Sequence, residues 1–203
     1  MADNQSMKFS QKECQKLSDE DLVRESLKNI EYFACLFERY EQKLLRYILR
    51  ISYFSQEEAD DVLQESFIKI WKNLNKFDSS LKFSSWAYRI VHNTTISEWK
   101  KTKSHGKDKQ IRINEDIFKN LPSKLNLAEQ LHKKNNLAEI RKILDSLPKK
   151  YSEVLILKFL EDRNYREISD ILKKPPGTIA TLIHRAKKVF HKKITSKNIS
   201  FDL

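Results

Sequence analysis

Residues 163–194 read RNYREISDILKKPPGTIATLIHRAKKVFHKKI, and this stretch decides the fold of the C-terminal part of the chain. A short helical pattern stops before Pro175 and Pro176, because each proline lacks a backbone donor and disfavours helical geometry in the residue before it. A longer helix is predicted after the prolines. Its apolar stripe comprises Ile179, Leu182, Ile183, Ala186, Val189, Phe190 and Ile194. The stretch therefore predicts a short helix, a tight turn and an amphipathic helix.

This pattern is typical of a helix-turn-helix, in which the second helix enters the major groove of DNA and its early residues reach base edges. Residues 163–203 contain ten basic and three acidic side chains, and the basic ones lie mainly opposite the apolar stripe. The predicted contacts to duplex DNA are Thr178, Thr181, His184, Arg185 and the phosphate-binding Lys188. A surface helix with solvated lysines is the alternative interpretation.

The composition of the whole chain agrees with a helical, nucleic-acid-binding protein. The 203 residues include 39 Lys+Arg and 28 Asp+Glu, a formal net charge of +11, which favours polyanionic partners. The chain contains only two glycines, so neither a dinucleotide fingerprint nor a Walker A loop can be written. Few glycines and prolines also predict an all-α fold rather than a turn-rich β fold.

The two cysteines, Cys14 and Cys35, are too few for a disulfide framework or a four-cysteine zinc site. We expect two reduced intracellular thiols. Neither a signal peptide nor a transmembrane helix is predicted, so a cytoplasmic location is expected. No metal and no cofactor are predicted.

Upstream of the helix-turn-helix, apolar periodicity predicts three further helices and a tether. One helix spans 30–51, and a second follows a capping box formed by Ser55 and Glu58 and runs to about Leu74. A third is predicted from Ser84 to Trp99. Residues 104–137 are polar and weakly periodic, which indicates a tether with a short helical piece near 125–137. The chain should therefore form two small helical domains joined by a flexible linker.

Two features of the N-terminal unit suggest binding. The second helix carries Glu57, Glu58, Asp60, Asp61 and Glu65 in an otherwise basic protein, which favours protein docking over a metal or acid–base site. The segment 77–103 interleaves aromatic and basic residues, which suits single-stranded DNA because bases stack on aromatic rings. Trp86 and Tyr88 could equally be core residues.

Taken in order, these features resemble the sigma factors of bacterial RNA polymerase, in particular the extracytoplasmic-function (ECF) group. Residues 58–71 (EADDVLQESFIKIW) resemble the polymerase-binding helix of that family, and 77–93 resemble its promoter-melting segment. LPKKY at 147–151, YREIS at 165–169 and 177–187 resemble its second domain. Here Ala180 and Leu182 stand where the family usually carries basic residues.

The resemblance implies region 2 at 26–103, a linker at 104–137 and region 4 at 138–195. Region 2 would bind the β′ clamp helices of core RNA polymerase and open the minus-ten promoter element, while region 4 would read the minus-thirty-five element and touch the β flap. The implied polymerase contacts are Asp60, Asp61, Gln64, Glu65, Ile68 and Trp71. The implied minus-ten contacts are Phe77, Asp78, Phe83, Trp86, Arg89, Asn93, Lys100 and Lys101. Such a protein has no catalytic residues, and anti-sigma factors, which are common in the family, would cover the same faces.

Three alternatives remain open at the level of sequence. A free-standing helix-turn-helix regulator explains 138–203 but not the acidic helix. A metal-dependent nuclease would use Asp60, Asp61 and Glu65. A structural helical bundle with incidental basic charge predicts no salt-sensitive DNA binding.

Overall fold

The computed structural model describes residues 11–104 and 134–196 of the chain, and all regular elements within these two ranges are helical. The predicted helical piece near 125–137 falls almost wholly outside the described residues. The helices are α1 (Gln11–Lys16), α2 (Asp19–Ser26), α3 (Glu31–Ile51), α4 (Gln56–Lys72), α5 (Phe83–Ser104), α6 (Lys134–Asp145), α7 (Lys149–Leu155), α8 (Tyr165–Leu172) and α9 (Pro176–Ser196). The prediction of an all-α fold is confirmed.

Helices α1–α5 form the N-terminal unit, in which α3, α4 and α5 pack around a core that includes the buried Leu44, Ile48 and Ile70. The capping box at the start of α4 is present, because the Ser55 hydroxyl accepts from the Glu58 amide and the Glu58 carboxylate accepts from the Ser55 amide. Helix α5 begins at Phe83, one residue before the predicted start at Ser84.

Cys14 and Cys35 form a disulfide, with their Cα atoms 5.4 Å apart, so the prediction of two reduced thiols is wrong. The bond ties α1 to α3, and the Arg39 guanidinium reinforces this link by donating a 3.0 Å hydrogen bond to the Leu17 carbonyl. Arg39 also pairs with Asp19 at 2.6 Å. The N-terminal residues from α1 onward are thereby fastened to the side of the unit.

Helices α6–α9 form the C-terminal unit, and α7 continues into a π-helical turn at Ile156–Leu160. Asn164 and Glu167 form a second capping box at the start of α8. Helix α8 is capped at its C-terminal end by Lys173, which adopts the left-handed conformation with φ 53°. Helix α9 begins at Pro176, as expected where a proline occupies the first helical turn.

The two units pack directly against each other, mainly through α5 of the first and α8 of the second. The ion pair between Arg50 of α3 and Glu161, just before α8, lies at the centre of this contact and has a 2.6 Å separation. The sequence predicted two units and a tether but nothing about this contact. None of the helices between 11 and 104 or between 134 and 196 has the length and hydropathy needed to cross a membrane.

Candidate protein-binding and nucleic-acid-binding faces

Helix α4 buries one face and presents the other to solvent. Its buried residues are Ala59, Val62, Leu63, Ser66, Phe67 and Ile70. The exposed residues are Asp60, Asp61, Gln64, Ile68 and Trp71, with Glu65 half-buried. All the polymerase contacts implied by the sequence therefore share one face of one helix, where a row of carboxylates ends in apolar Ile68 and Trp71. Such a face can bind a basic, amphipathic partner helix.

An aromatic cluster on α3 enlarges this face, and its residues were not among the contacts predicted from the sequence. Phe33 lies 5.0 Å from Trp71, and Phe37 lies 4.5 Å from Phe67, between ring centroids. Phe37 and the nearby Ile30 are exposed. Exposed apolar side chains at the edge of the helix stripe are the signal that could have indicated this cluster. A stripe that served only to pack in the core would be buried.

Three of the implied minus-ten residues form an aromatic cluster at the start of α5. Phe77 packs 5.3 Å from Trp86 and 5.8 Å from Phe83, between ring centroids. Phe83 is fully buried, whereas Phe77 and Trp86 are half-buried. A nucleic-acid base can therefore reach Phe77 and Trp86, while Phe83 supports them from the core. Asp78 in the adjoining loop is exposed, and a hydrogen bond from the Ser80 amide lowers its pKa.

The remaining minus-ten candidates divide by exposure. Asn93, Lys100 and Lys101 are exposed, and Lys101 pairs with Glu98 at 2.6 Å. Arg89 is half-buried under α8, where its Nε and Nη2 atoms are buried and have no hydrogen-bond partner. Burial lowers the pKa of Arg89, and the Asp170 carboxylate of α8 opposes that shift. Arg89 thus lies close enough to α8 of the other unit to interact with the charge of Asp170.

The contact between the units is polar and buried at its centre. Arg50 and Glu161 have side chains only 2% and 5% exposed, and the Tyr88 hydroxyl donates a 2.8 Å hydrogen bond to the second Glu161 oxygen. The Arg163 guanidinium lies 4.1 Å from the Tyr88 ring centroid. Burial raises the pKa of the Glu161 carboxyl, and the adjacent Arg50 guanidinium opposes that rise by favouring the ionised form.

Arg141 of α6 completes this contact at the C-terminal end of α3. Its guanidinium donates to the carbonyls of Leu49 and Arg50 at 3.0 and 3.1 Å and to that of Ser52 at 2.7 Å. A helix end leaves its last carbonyls without partners, so a guanidinium at this position is favourable. The Asp145 carboxylate accepts a 2.9 Å hydrogen bond from the Nε atom of Arg141.

Further contacts extend along α5. Lys82 pairs with Glu167 at 2.9 Å, and the Lys149 ammonium lies 3.8 Å from the Trp99 ring centroid. His92 accepts from or donates to the Tyr47 hydroxyl at 2.9 Å and lies 3.9 Å from Glu153. Burial, together with the nearby Lys149 charge, lowers the pKa of His92 to about 4. His92 is therefore neutral at pH 7, and its approach to Glu153 is not an ion pair there.

Helix α9 presents an open basic face. Thr178, Thr181, His184, Arg185 and Lys188 are all exposed. Ile179, Ile183 and Ala186 are buried on the opposite side. Arg185, Lys187, Lys188, Lys192 and Lys193 supply its positive charge, and the helix contains no acidic residue. All the residues predicted to contact duplex DNA are therefore available to a partner on one helix. In the described ranges, no group of three or more His, Cys, Asp or Glu side chains could hold a metal ion.

Family models match both units. Residues 36–105 match the model of sigma-70 region 2, and residues 137–189 match the model of sigma-70 region 4. The first match covers α4 and the aromatic start of α5, and the second covers the helix-turn-helix. The two matches define the class of protein, which is a sigma-type transcription factor with its two regions in the usual order.

Curated relatives agree with this class. The chain is 29% identical over 184 residues to the ECF RNA polymerase sigma factor SigW of Bacillus subtilis, covering 86% of this chain and 98% of SigW. It is 30% identical over 155 residues to the RNA polymerase sigma factor SigV of the same organism, covering 76% of this chain and 87% of SigV. The chain belongs to the sigma-70 family and, within it, to the ECF group of sigma factors.

Solved structures show the same fold. CnrH, in complex with the cytosolic domain of CnrY, matches with a TM-score of 0.65 and 20% identity, over 88% of this chain and 97% of CnrH. The sigma factor RpoE of Bartonella quintana, in complex with the anti-sigma factor NepR, matches with a TM-score of 0.61 and 19% identity, over 80% of this chain and 96% of RpoE.

Proposed function

We propose that this sigma factor binds core RNA polymerase through the exposed face of α4 and divides promoter recognition between its two units. Its class function is to direct transcription initiation. The observation that carries the finer assignment is the separation of charge. A row of carboxylates lies on α4, whereas the basic residues lie on α9 and near the end of α5.

In region 2, proposed at 26–103 within the N-terminal unit, the acidic row and the apolar residues Ile68 and Trp71 would meet the β′ clamp helices of the polymerase. Phe77 and Trp86 are positioned for stacking on the unpaired bases of the minus-ten strand, with Asn93, Lys100 and Lys101 further along α5 for the backbone. Unstacking a base step costs a few kcal/mol, and the stacking of captured bases on aromatic rings offsets that cost.

In region 4, proposed at 138–195 within the C-terminal unit, the exposed face of α9 would enter the major groove at the minus-thirty-five element. Thr178, Thr181, His184 and Arg185 are placed to reach base edges and Lys188 to reach a phosphate. Ala180 and Leu182 are half-buried, so base selection would fall mainly to Thr181, His184 and Arg185. The same unit would touch the β flap. Residues 104–137 would act as the linker.

Three further points belong to this proposal. The chain would contribute no catalytic group, because the polymerase carries out the chemistry, and it would need neither a metal nor a cofactor. It would act in the cytoplasm, where the polymerase is found. An anti-sigma factor would regulate the chain, as its structural neighbour RpoE is found in complex with the anti-sigma factor NepR.

The test is transcription in vitro with core polymerase and a promoter library. We expect start-site selection that depends on this chain, and absence of selection would overturn the proposal. Polymerase capture then tests the α4 face, where Asp61→Lys should abolish binding by reversing an exposed charge. Glu38→Lys, an equal charge change at an exposed position of α3, is the matched control. A free-standing regulator would instead bind duplex DNA without any polymerase.

A further inference from the structure

We propose that Cys14 and Cys35 form a thiol–disulfide switch, in which oxidation fastens α1 to α3 and firms the aromatic cluster that would bind the minus-ten strand. The pair is a site of reversible oxidation by small-molecule disulfides such as glutathione disulfide. The strand-binding part of this inference rests on the proposed function. The switch itself rests on contacts within the N-terminal unit and can be tested separately.

The first argument is where the bond would form. The Cα atoms of Cys14 and Cys35 are 5.4 Å apart, which is within the range that a disulfide spans. The proposed function places the chain in the cytoplasm, where thiol buffers keep most cysteines reduced. A disulfide in that compartment is usually transient and responds to the redox state, whereas permanent structural bonds are typical of secreted proteins. The combination of a fitting geometry and a reducing location favours a switch.

The second argument is the unequal exposure of the two cysteines. Cys35 is only 2% exposed, whereas Cys14 is half-buried at the edge of the unit. An incoming thiolate can therefore reach Cys14 more readily than Cys35, and access is one of the factors that set the rate of thiol–disulfide exchange. The pair thus has one cysteine placed for attack and one placed to leave or to close the bond.

The exchange requires only a small-molecule thiol and its disulfide. In reduction, the thiolate of one glutathione attacks the Cys14 sulfur, a mixed disulfide forms there, and the Cys35 thiolate leaves and takes a proton. A second glutathione attacks the glutathione sulfur of the mixed disulfide, so that Cys14 becomes a thiol and glutathione disulfide departs. Two electrons and two protons pass from two glutathione thiols to the pair. The same steps in reverse form the bond.

The third argument is what the bond holds in place. Helix α1 has six residues, and a helix of that length is not stable on its own. Helix α2, in contrast, buries Leu22 and Val23 in the core and has its own anchor. The noncovalent contacts of α1 include the Arg39 guanidinium, which donates to the Cys14 carbonyl at 2.5 Å and to the Leu17 carbonyl at 3.0 Å. Reduction should therefore loosen α1 while α2 stays packed.

The fourth argument is a set of contacts that leads away from the bond. Arg39 lies one helical turn after Cys35 on α3, and its guanidinium pairs with one oxygen of Asp19 at 2.6 Å. The other Asp19 oxygen accepts a hydrogen bond from the Tyr40 hydroxyl. The guanidinium that holds α1 therefore also holds the carboxylate that positions Tyr40.

These contacts end at the aromatic cluster of α5. The Tyr40 ring lies 5.5 Å from that of the buried Phe83, between ring centroids. Phe83 in turn lies 5.8 Å from Phe77 and 5.9 Å from Trp86. A fastened α1 would hold the cluster closer to the geometry that stacking requires, and preorganised groups bind more tightly because less ordering is needed on binding. Oxidation should therefore tighten binding of the minus-ten strand.

The first experiment tests the switch without DNA. The full-length chain is equilibrated with mixtures of reduced glutathione and glutathione disulfide, and its free thiols are counted by alkylation and mass spectrometry. We expect two thiols in excess reduced glutathione and none at high glutathione disulfide. A bond that persists in excess reduced glutathione overturns the switch, and so do thiols that stay reduced at high glutathione disulfide.

Hydrogen exchange then measures what the bond holds. Amides of α1 should exchange faster in the reduced chain, by up to about 100-fold, which is the factor that the chain-entropy model assigns to a loop of this size. Amides in the buried part of α3 should change little. The Cys14→Ser variant cannot form the bond and should match the reduced wild type in every buffer. Equal exchange of α1 in the oxidised and reduced wild type overturns the release of α1.

The second experiment measures binding of the oxidised and reduced chains to a single-stranded oligonucleotide that carries the minus-ten sequence selected in vitro. We expect the oxidised chain to bind about fivefold more tightly, at the lower end of the range for coupling between two sites. Arg39→Gln should still form the disulfide, but its strand binding should no longer depend on the redox state. Arg24→Gln, at an exposed position of α2, is the matched control and should keep the dependence.

Circular dichroism verifies that the variants are folded. If Arg39→Gln loses helix content, Tyr40→Phe replaces it, since this change removes the hydroxyl that binds Asp19 and keeps the ring. Equal strand binding by the oxidised and reduced wild type overturns the coupling to the minus-ten cluster, and so does an undiminished redox dependence in the folded variant. Absence of start-site selection in transcription concerns the proposed function and leaves the glutathione titration and the exchange result intact.

Discussion

The two helices assigned to DNA differ in how they meet solvent. On α9 every predicted contact is exposed and the apolar stripe faces the unit's own core. On α5, Arg89, His92 and Trp99 meet the C-terminal unit, and only Asn93, Lys100 and Lys101 among the predicted polar contacts are exposed. The predicted contacts on α9 are therefore all exposed, whereas those on α5 are exposed only in part because this helix also packs against the C-terminal unit.

The largest expected effect is on the contact that covers α5. Arg50→Ala should lower the free energy of unfolding by about 3–5 kcal/mol, because it leaves the Glu161 carboxylate buried without its cation. Chemical denaturation measures this loss. Lys43→Ala, an exposed position on the same helix, should change stability by less than about 0.5 kcal/mol. Replacing Arg50 and Glu161 together with leucine should recover most of the loss, and a double variant as unstable as the single one would contradict the pairing.

The second prediction concerns pH and the α5 side of the contact. His92 has a pKa of about 4 in the folded chain, against 6.5 in the unfolded chain, so its neutral form stabilises the fold. That contribution, about 3 kcal/mol, is fully present above pH 6.5 and is lost as the pH falls toward 4. Tyr47, Glu153 and Lys149 are the titratable groups nearest to the ring. The free energy of unfolding, measured by denaturation at several pH values in this window, should depend less on pH for His92→Gln than for the wild type. Equal slopes would show that other groups dominate.

The third prediction separates the N-terminal disulfide from the contact between units. Cys14 and Cys35 enclose about 20 residues, and opening such a loop costs about 3 kcal/mol of stability in the chain-entropy model. Dithiothreitol should lower the denaturation midpoint of the wild type but not that of the double serine variant. The bond lies within the N-terminal unit, so the radius of gyration should not change. Expansion on reduction would show that α1 and α2 support the contact between the two units.

The smallest expected effect is on base readout, where the two helices can be compared directly. Arg185→Ala should weaken selective duplex binding of the free chain by about 1–3 kcal/mol if the guanidinium contacts guanine. Arg89→Ala should weaken duplex binding much less, because this half-buried side chain lies near Asp170 of α8. Binding titrations on specific and random DNA provide both values. Equal losses on the two DNAs would mean that Arg185 contacts only phosphate.

Periodicity predicted the helices well. The stripe at 30–51 became α3, the Ser55–Glu58 capping box starts α4, and the two prolines separate α8 from α9. These are local features, since a cap or a proline acts on the backbone within a few residues. The exposed faces of α4 and α9 could be predicted for the same reason, because the apolar stripe of a helix determines which of its sides faces solvent.

The contact between the units could not be predicted in this way. Arg50 sits among Ile48, Leu49 and Ile51, and Arg141 sits beside Ile140, so each appears as one charge within an apolar segment. The partners of these arginines lie some 90 to 110 residues away in sequence. Hydrophobic periodicity describes only neighbouring turns of one helix and cannot predict such contacts. The disulfide was not predicted because the expectation of reduced thiols rested on an intracellular location. The fold brings Cys14 and Cys35, which are 21 positions apart in sequence, into contact.

The two carboxylate oxygens of Glu167 make different contacts. Oε2 accepts from the Asn164 amide and so secures the first turn of α8, while Oε1 holds Lys82 of the opposite unit. Because the two contacts use different oxygens, loss of the Lys82 ion pair would leave the first turn of α8 capped, and the contact between the units could weaken without fraying that helix.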